Sequence, residues 1–351
     1  SLVQGNVRVT RLALVMIARD EAASIGRALE SARARVERMI VLDTGSTDAT
    51  REIAVAAGAE VHSFTWCDDF AAARNAALAH SDADWNLILD ADEWIEAGGE
   101  ALATLPAGGF LGEVRIASRM DQPGAEGQAW LPRLLPRGVR YVGRIHEQPV
   151  SDLPRLHLPV TLGHDGYLAD NLARKGARNE TLLMRELEDA PEDPYLWFQL
   201  AKEHQARGRA PQAALCFHEA LRLAAADVPY RHALVVRAMI ALKAAGELHE
   251  ALVLADGEVA NWPESPDFYF TVGDLYLEAA AQDPGRAGDF LPIAEQAWKR
   301  CLEIGERPDL DGAVAGRGGH MAAHNLAVIY EALGQADLAA HFRALTETLR
   351  R

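Results

Sequence analysis

The stretch Trp85-Asn86-Leu87-Ile88-Leu89-Asp90-Ala91-Asp92-Glu93 runs a short apolar segment into two carboxylates separated by one alanine. Two carboxylates that close repel each other. A divalent cation offsets that repulsion and can at the same time grip phosphate oxygens. The apolar run is too short for a free-standing helix and reads as a buried strand. Asp90 and Asp92 then fall at its carboxyl end, where open α/β sheets hold their ligands.

The elements that must position this pair lie upstream. Leu12-Ala13-Leu14-Val15-Met16-Ile17 is a continuous apolar run, as in a strand buried on both faces. It ends in Ala18-Arg19-Asp20-Glu21, and a helical pattern follows through Ile25, Ala28 and Leu29, with Ser24 in or before its first turn. Met39-Ile40-Val41-Leu42 reads as a second buried strand, ending at Asp43-Thr44-Gly45-Ser46-Thr47-Asp48. Thr47 or Asp48 suits an N-cap for a helix over 49–57 that closes at Gly58. A third short strand over 60–64 completes a βαβαβ run with right-handed crossovers. A helix over 71–80 carries Arg74 and Asn75 in its first turns. Taken singly, Asp48 reads as a helix cap and Arg74 as a solvated surface charge. Together the strand ends converge polar residues on one rim: 19–21, then Asp43 with Ser46 and Asp48, then the Asp90 pair.

In this order, Met16-Ile17-Ala18-Arg19-Asp20-Glu21, Val41-Leu42-Asp43-Thr44-Gly45-Ser46-Thr47-Asp48, Phe70 with Arg74-Asn75, and Leu89-Asp90-Ala91-Asp92-Glu93 resemble the family 2 glycosyltransferases. The resemblance covers roughly the first 165 residues. It implies the glycosyltransferase-A fold, an α/β domain with a Rossmann-like mixed sheet that binds a nucleotide-sugar, usually a uridine diphosphate (UDP) sugar. It also implies an inverting displacement without a covalent enzyme intermediate. On this resemblance Asp43 contacts the nucleobase, residues 18–21 lie near base and ribose, and Asp90 and Asp92 coordinate Mn2+ or Mg2+ on the diphosphate. The donor-binding set is then Ala18, Arg19, Glu21, Asp43, Ser46, Arg74, Asp90, Ala91 and Asp92. The Arg19-Asp20 pair departs from the Lys-Asn common among relatives.

Such residues suit the chemistry. Negative charge builds on phosphate oxygens as the sugar leaves the diphosphate, and a metal stabilises it as a Lewis acid. The acceptor must lose a proton as it attacks, so a carboxylate base is expected near the anomeric carbon. Downstream, Glu113-Val114-Arg115-Ile116-Ala117-Ser118 suggests a further strand, and Trp130-Leu131-Pro132-Arg133-Leu134-Leu135-Pro136-Arg137 follows. Tyr141-Val142-Gly143-Arg144-Ile145-His146-Glu147-Gln148 resembles the family branch in which an Arg-x-His-Glu segment returns to the active site. Glu147 is the expected general base and His146 a candidate metal or phosphate contact; a loop salt bridge between Arg144 and Glu147 is the structural alternative. His164, in Leu162-Gly163-His164-Asp165-Gly166-Tyr167, is a further candidate metal ligand, or else a turn-stabilising histidine.

From about Ala169 strand signals stop and alanine-rich helical patterns take over. Trp197, Leu200, Ala201, His204, Gly208, Ala213, Phe217 and Ala220 fit the tetratricopeptide spacing, with a His in an aromatic slot. A second copy aligns on Ala238, Met239, Leu242, Gly246, Ala251, Ala255 and Pro263, and a third on Val272, Gly273, Tyr276, Ala294, Trp298 and Leu302 with an insertion at Asp283-Pro284-Gly285. A fourth fits Leu326, Ala327, Tyr330, Gly334 and Ala339. The expected organisation is a catalytic domain over 1–168 and a helical solenoid over 169–351. Segment 171–187, with Lys175, Arg178 and Asn179, joins the two and could close over the donor. The solenoid would select a peptide or protein acceptor, or serve to scaffold or dimerise; glycan acceptors are the other class. Gly318-Gly319-His320 follows no strand, which argues against a phosphate loop there.

Composition narrows the classes. Asp plus Glu outnumber Lys plus Arg by 51 to 35, a formal net charge of −16, which disfavours a broad nucleic-acid footprint or polybasic membrane attachment. Cys67, Cys216 and Cys301 are isolated and lack metal-ligand spacing, in keeping with free thiols in a reduced compartment. No apolar run reaches the ~20 residues needed to span a bilayer. The first eleven residues carry no signal-type apolar core, so the expectation, for a chain that does not begin with Met, is a cytoplasmic protein. A phosphatase of the haloacid dehalogenase type would place its Asp-x-Asp on an early strand, and a nucleotidyltransferase would show a Gly-rich basic loop after the first strand. A catalytically degenerate domain serving as a repeat-based interaction scaffold is the remaining rival.

Overall fold

A computed structural model describes residues 10–106, 108–119, 126–165 and 169–350. The described chain forms two compact units, one built on the sheet and one on the helices from Leu172 onward. The expected domain boundary at 168/169 touches residues outside those described.

The sheet of the first unit has eight strands. Its first half is parallel: β3 (Glu60–Ser63), β2 (Arg38–Asp43), β1 (Leu12–Ala18) and β4 (Trp85–Ile88) lie side by side in that order. Helices α1 (Ile25–Arg33), α2 (Thr50–Ala56) and α3 (Phe70–Leu78) follow the first three strands of the chain. The strands read as apolar because both faces are covered. Leu14, Met16, Val41, Leu87 and Leu89 pack with Ile25 and Leu29 of α1 on one face. Val15, Ile40, Leu42 and Ile88 pack with Ala71, Ala73 and Ala77 of α3 on the other. Gly58, past the end of α2, takes φ +88°, which a glycine adopts without a Cβ penalty.

The second half of the sheet was only partly expected. β7 (Glu126–Pro136) pairs antiparallel with β4, bringing Leu87 opposite Leu134. Beyond it lie β6 (Leu111–Arg119), β10 (Arg155–His164) and, at the edge, β5 (Glu93–Ala97). β10 runs parallel to β6 and antiparallel to β5. His164 is therefore the last residue of a ten-residue strand, directly opposite Glu93, rather than part of a turn. A small two-stranded ribbon, β8 (Arg140–Val142) with β9 (Gln148–Val150), carries residues 143–147 as its loop.

The second unit is a run of helices. After α4 (Ala169–Asp189) come four antiparallel pairs: α5 (Pro194–Ala206) with α6 (Ala210–Leu223), and α7 (Arg231–Ala244) with α8 (Leu248–Glu258). Then follow α9 (Pro266–Gln282) with α10 (Ala287–Ile304), and α11 (His320–Ala332) with α12 (Ala336–Leu349). Gly208, Gly246 and Gly334 make the turn of the first, second and fourth pairs, each at positive φ. The third pair has no such glycine and instead extends α9 to 17 residues before the Asp283-Pro284-Gly285 insertion. Its helices approach closely at Gly273, where any Cβ would come 2.3 Å from the indole nitrogen of the fully buried Trp298. The side chain of Lys175 lies outside the described residues, whereas Asn179 of α4 donates to Glu203 of α5 at 3.2 Å. Among the described residues no helix is long and apolar enough to cross a membrane.

Candidate active site

The loops after β1 and β2 are stapled to each other. Asp20 sits at φ +54°, a left-handed conformation that Asp tolerates better than most side chains. Its N–H donates to Ser46 Oγ at 2.9 Å, and its Oδ1 accepts the Thr47 N–H at 2.7 Å. The next two amides continue the seam, Glu21 N–H to Thr50 Oγ1 at 2.8 Å and Ala22 N–H to Asp48 Oδ2 at 3.1 Å. Asp48 also accepts the Thr50 N–H, so it serves the start of α2 and the seam together. Asp43 is buried at the end of β2 and accepts the Gly45 and Ser46 amides, both at 3.2 Å, and Arg51 at 3.2 Å. Burial pushes its carboxyl up, but these donors outweigh burial and hold it below the usual carboxylate range. Ala18, Glu21, Asp43 and Ser46 thus come together on one rim, with the Arg19 side chain exposed beside them.

Next to that rim runs a ladder of alternating charges. Glu147 Oε1 meets Arg74 Nε at 2.6 Å, and Arg74 Nη2 meets Asp90 Oδ1 at 2.7 Å. The other Asp90 oxygen meets Arg133 Nη2 at 2.9 Å, and the same nitrogen meets Glu93 Oε1 at 2.6 Å. Glu93 Oε2 turns back to accept the Asp90 N–H at 3.0 Å. Arg74, Arg133 and Glu93 are all buried, Glu93 to 2% exposure. Burial works against the charge on Arg74, yet Asp90 and Glu147 override it and raise its pKa well above the ordinary value. For Glu93 burial wins over Arg133, and its carboxyl is pushed up. Tyr141, beneath Arg74, is pushed up to about 12 by burial. Arg74 Nη1 and Arg133 Nε are buried without a hydrogen-bond partner. Such donors point to anionic oxygens that complete them.

Two of the structural alternatives drop out here. Arg74 is not a solvated charge, because α3 is alanine-faced and packs tightly on the sheet, which carries its side chain inward. Glu147 pairs with Arg74 rather than with its neighbour Arg144. The reason is Asn75: its Nδ2 donates to Tyr141 O at 3.0 Å and its Oδ1 accepts the Tyr141 N–H at 2.8 Å, fastening the β8–β9 ribbon to α3. Phe70 N–H donates to Arg144 O at 2.8 Å, closing the other side of the loop. Arg133 was absent from the expected set. Its signal was a lone arginine among Leu131, Pro132, Leu134 and Leu135.

Beside Glu93, Asp92 is 3% exposed, and its Oδ2 lies 3.6 Å from His164 Nε2. The other ring nitrogen of His164 is 3.2 Å from Ser118 Oγ. His146 sits in the ribbon loop at φ +50°, its carbonyl accepting from Gln148 Nε2 at 3.2 Å. Among the described residues no three His, Cys, Asp or Glu side chains converge as a ready-made metal cage. Asp92 with His164 is the pair whose donor types and spacing could share an ion, with oxygens from a ligand making up the remainder.

Comparison with known proteins bears on this geometry. The profile described as glycosyl transferase family 2 matches residues 13–104. A TPR repeat-containing protein of Synechococcus elongatus is 32% identical over 308 residues, which span 82% of this chain and 75% of that protein. The prophage-derived glycosyltransferase SunS of Bacillus subtilis is 25% identical over 201 residues, spanning 54% of this chain and 48% of SunS. Among solved structures, glucosyl-3-phosphoglycerate synthase from Mycobacterium tuberculosis with Mn2+ and UDP-glucose is 26% identical, at a TM-score of 0.27, over 31% of this chain and 44% of that one. With the family 2 match, the Synechococcus relative and a sheet unit followed by paired helices, the chain belongs to the family 2 glycosyltransferases that carry tetratricopeptide-type repeats.

Proposed function

We propose that the protein transfers a sugar from a nucleoside diphosphate donor, a UDP-sugar, to a peptide, protein or glycan acceptor with inversion at the anomeric carbon. The observation that carries this reading is the buried ladder, within which Arg74 Nη1 and Arg133 Nε have no hydrogen-bond partner. Arg74 and Arg133 would bind and orient the diphosphate. The stapled rim of Ala18, Arg19, Glu21, Asp43 and Ser46 would take the base and ribose. Ala91, with only a methyl group between the two aspartates, would let the diphosphate approach the backbone.

A divalent cation, Mn2+ or Mg2+, fits the residues present. Two atoms sharing one such ion in neighbouring positions, each at about 2.1 Å, lie about 3 Å apart. Asp92 Oδ2 and His164 Nε2, at 3.6 Å, need only a small adjustment. Carboxylate and imidazole both suit Mn2+, and phosphate oxygens complete such sites. When bound, the ion would supply Lewis-acid stabilisation of the leaving diphosphate. Asp90 would act on it indirectly, since both its oxygens are held by guanidinium groups, and His146 is kept as a further contact to phosphate or metal. Glu147 is the base in this reading: held by Arg74 through one oxygen, it would take the acceptor's proton as the acceptor attacks.

The division of labour would place catalysis in residues 1–168 and acceptor choice in the helices of 169–351, which would also offer a surface for homodimers. A cytoplasmic setting belongs to the same reading. The rival, a degenerate domain kept as a scaffold, gives no use to buried guanidinium donors that lack partners. Thermal melting with UDP-glucose, UDP-galactose and UDP-N-acetylglucosamine, each with Mn2+ or with EDTA, tests the proposal. A donor that raises the melting temperature in Mn2+ and is slowly hydrolysed supports it. No shift and no hydrolysis with any nucleotide-sugar favours the scaffold.

A further inference from the structure

His164 stands between two neighbours that fix it in different ways. Ser118, its parallel partner on β6, lies 3.2 Å from Nδ1 and so turns Nε2 toward Asp92. That contact orients the ring, and the ladders to β6 and β5 carry the strand itself. Its flanking residues add side-chain ties to the strand end. Gly163, opposite Trp94 in the antiparallel register, lies so close that any Cβ would come 2.2 Å from the indole. Over the Trp94 ring, at 3.8 Å from its centroid, sits the guanidinium of Arg27 from α1. Its Nη2 reaches Asp165 Oδ2 at 2.6 Å. The residues before and after His164 are therefore both tied to one stack, Arg27 on Trp94.

An ion pair with one partner as exposed as Arg27, at 43%, contributes little by itself. Here the planar guanidinium is already immobilised on an aromatic face, so pairing with Asp165 orders little that was free. Trp94 in turn adjoins Glu93, the last carboxylate of the ladder, so the stack ties α1, β5 and the end of β10 together at the edge of the site.

We infer that Arg27, Trp94 and Asp165 form a clasp that positions His164, and so sets how strongly the Asp92–His164 pair binds a divalent cation. The inference rests on the reading of that pair as a metal site. Partners that orient a metal ligand without touching the ion commonly change affinity 10- to 100-fold. Arg27 and Asp165 are positioning residues in this sense.

The test is a Mn2+ titration of the full chain, alone and with UDP, followed by the electron paramagnetic resonance signal of free Mn2+. Arg27→Gln and Asp165→Asn should each weaken Mn2+ about tenfold. The double variant should be no weaker than either single one, because both break the same clasp. UDP affinity in EDTA should match wild type, and reduced turnover should return with excess Mn2+. Arg27→Lys, which keeps the charge but loses the planar stack, should fall between and serves if the glutamine variant folds poorly. Wild-type Mn2+ affinity in Arg27→Gln and Asp165→Asn, with binding lost in Asp92→Asn, would overturn the clasp and leave the metal site standing. No Mn2+ binding by the wild type would overturn both.

Discussion

Replacing Arg133 by Met removes a guanidinium of similar length from between Asp90 and Glu93. Asp90 is about one-third exposed, so solvent screens most of its loss, and it keeps Arg74. Glu93 is different, with a side chain only 3% exposed and Arg133 as its ion-pair partner in the ladder. Breaking a buried pair by deleting one member costs about 3–5 kcal/mol. Glu93 already has its carboxyl pushed up by burial against the opposition of Arg133. Without Arg133 it is pushed higher still, and each further pKa unit is worth about 1.4 kcal/mol. A carboxyl whose pKa is raised in the folded state binds more protons folded than unfolded. The added instability is therefore full at a pH above the folded pKa, and shrinks as pH falls toward the unfolded value. Urea unfolding of Arg133→Met and wild type at pH 8 and pH 5.5 measures this. The gap should be about 3–5 kcal/mol at the higher pH and clearly smaller at the lower. Adding Glu93→Gln should recover much of it at pH 8, since no buried charge then remains unpaired. A penalty independent of pH, or one untouched by Glu93→Gln, would refute the claim that the ladder's energetics centre on Glu93.

Three further outcomes are expected. Asp92→Asn should leave the melting temperature near wild type while lowering sugar transfer at least about 100-fold; full transfer in a folded variant would remove the metal assignment. Glu147→Gln keeps an acceptor oxygen for Arg74, so donor affinity should hold while turnover drops about 10²- to 10⁴-fold, measured as KM for donor against kcat. Gly273→Ala forces a methyl group into Trp298 and should destabilise the helical unit by about 1–3 kcal/mol; Trp298→Phe should relieve part of that in the double variant, and calorimetry would show it.

The sequence displayed the parallel half of the sheet openly, because strands buried on both faces must be apolar throughout, as at Leu14 to Met16 and Met39 to Leu42. The helix pairs were equally visible through Gly208, Gly246 and Gly334, whose turn positions demand positive φ. Of the other half only β6 showed, through Glu113 to Ser118. β10 contains Pro159 and Gly163 and changes register between His157 and Thr161, so its local pattern resembles a loop; only pairing with distant β5 and β6 makes it a strand. The same distance hid the ladder. Nothing local to Arg133 says that Glu93, forty residues earlier, will neutralise it. What the sequence did carry was the demand itself, an arginine amid leucines and prolines that must find a carboxylate if it is buried. Likewise the alanines around Arg74 foretell close packing of α3, but not that Asp90 and Glu147 lie beneath it.

Asn75 has a consequence for how such a site can diversify. By bonding both backbone groups of Tyr141, it makes α3 and the β8–β9 ribbon a single mounting for Glu147. The outward residues of that ribbon, Val142 and Val150 among them, are exposed and take no part in the attachment. They can be rewritten without displacing the carboxylate they surround. A lineage, or an engineer, can thus alter what the mouth of the site greets while the proton-handling group stays at its post.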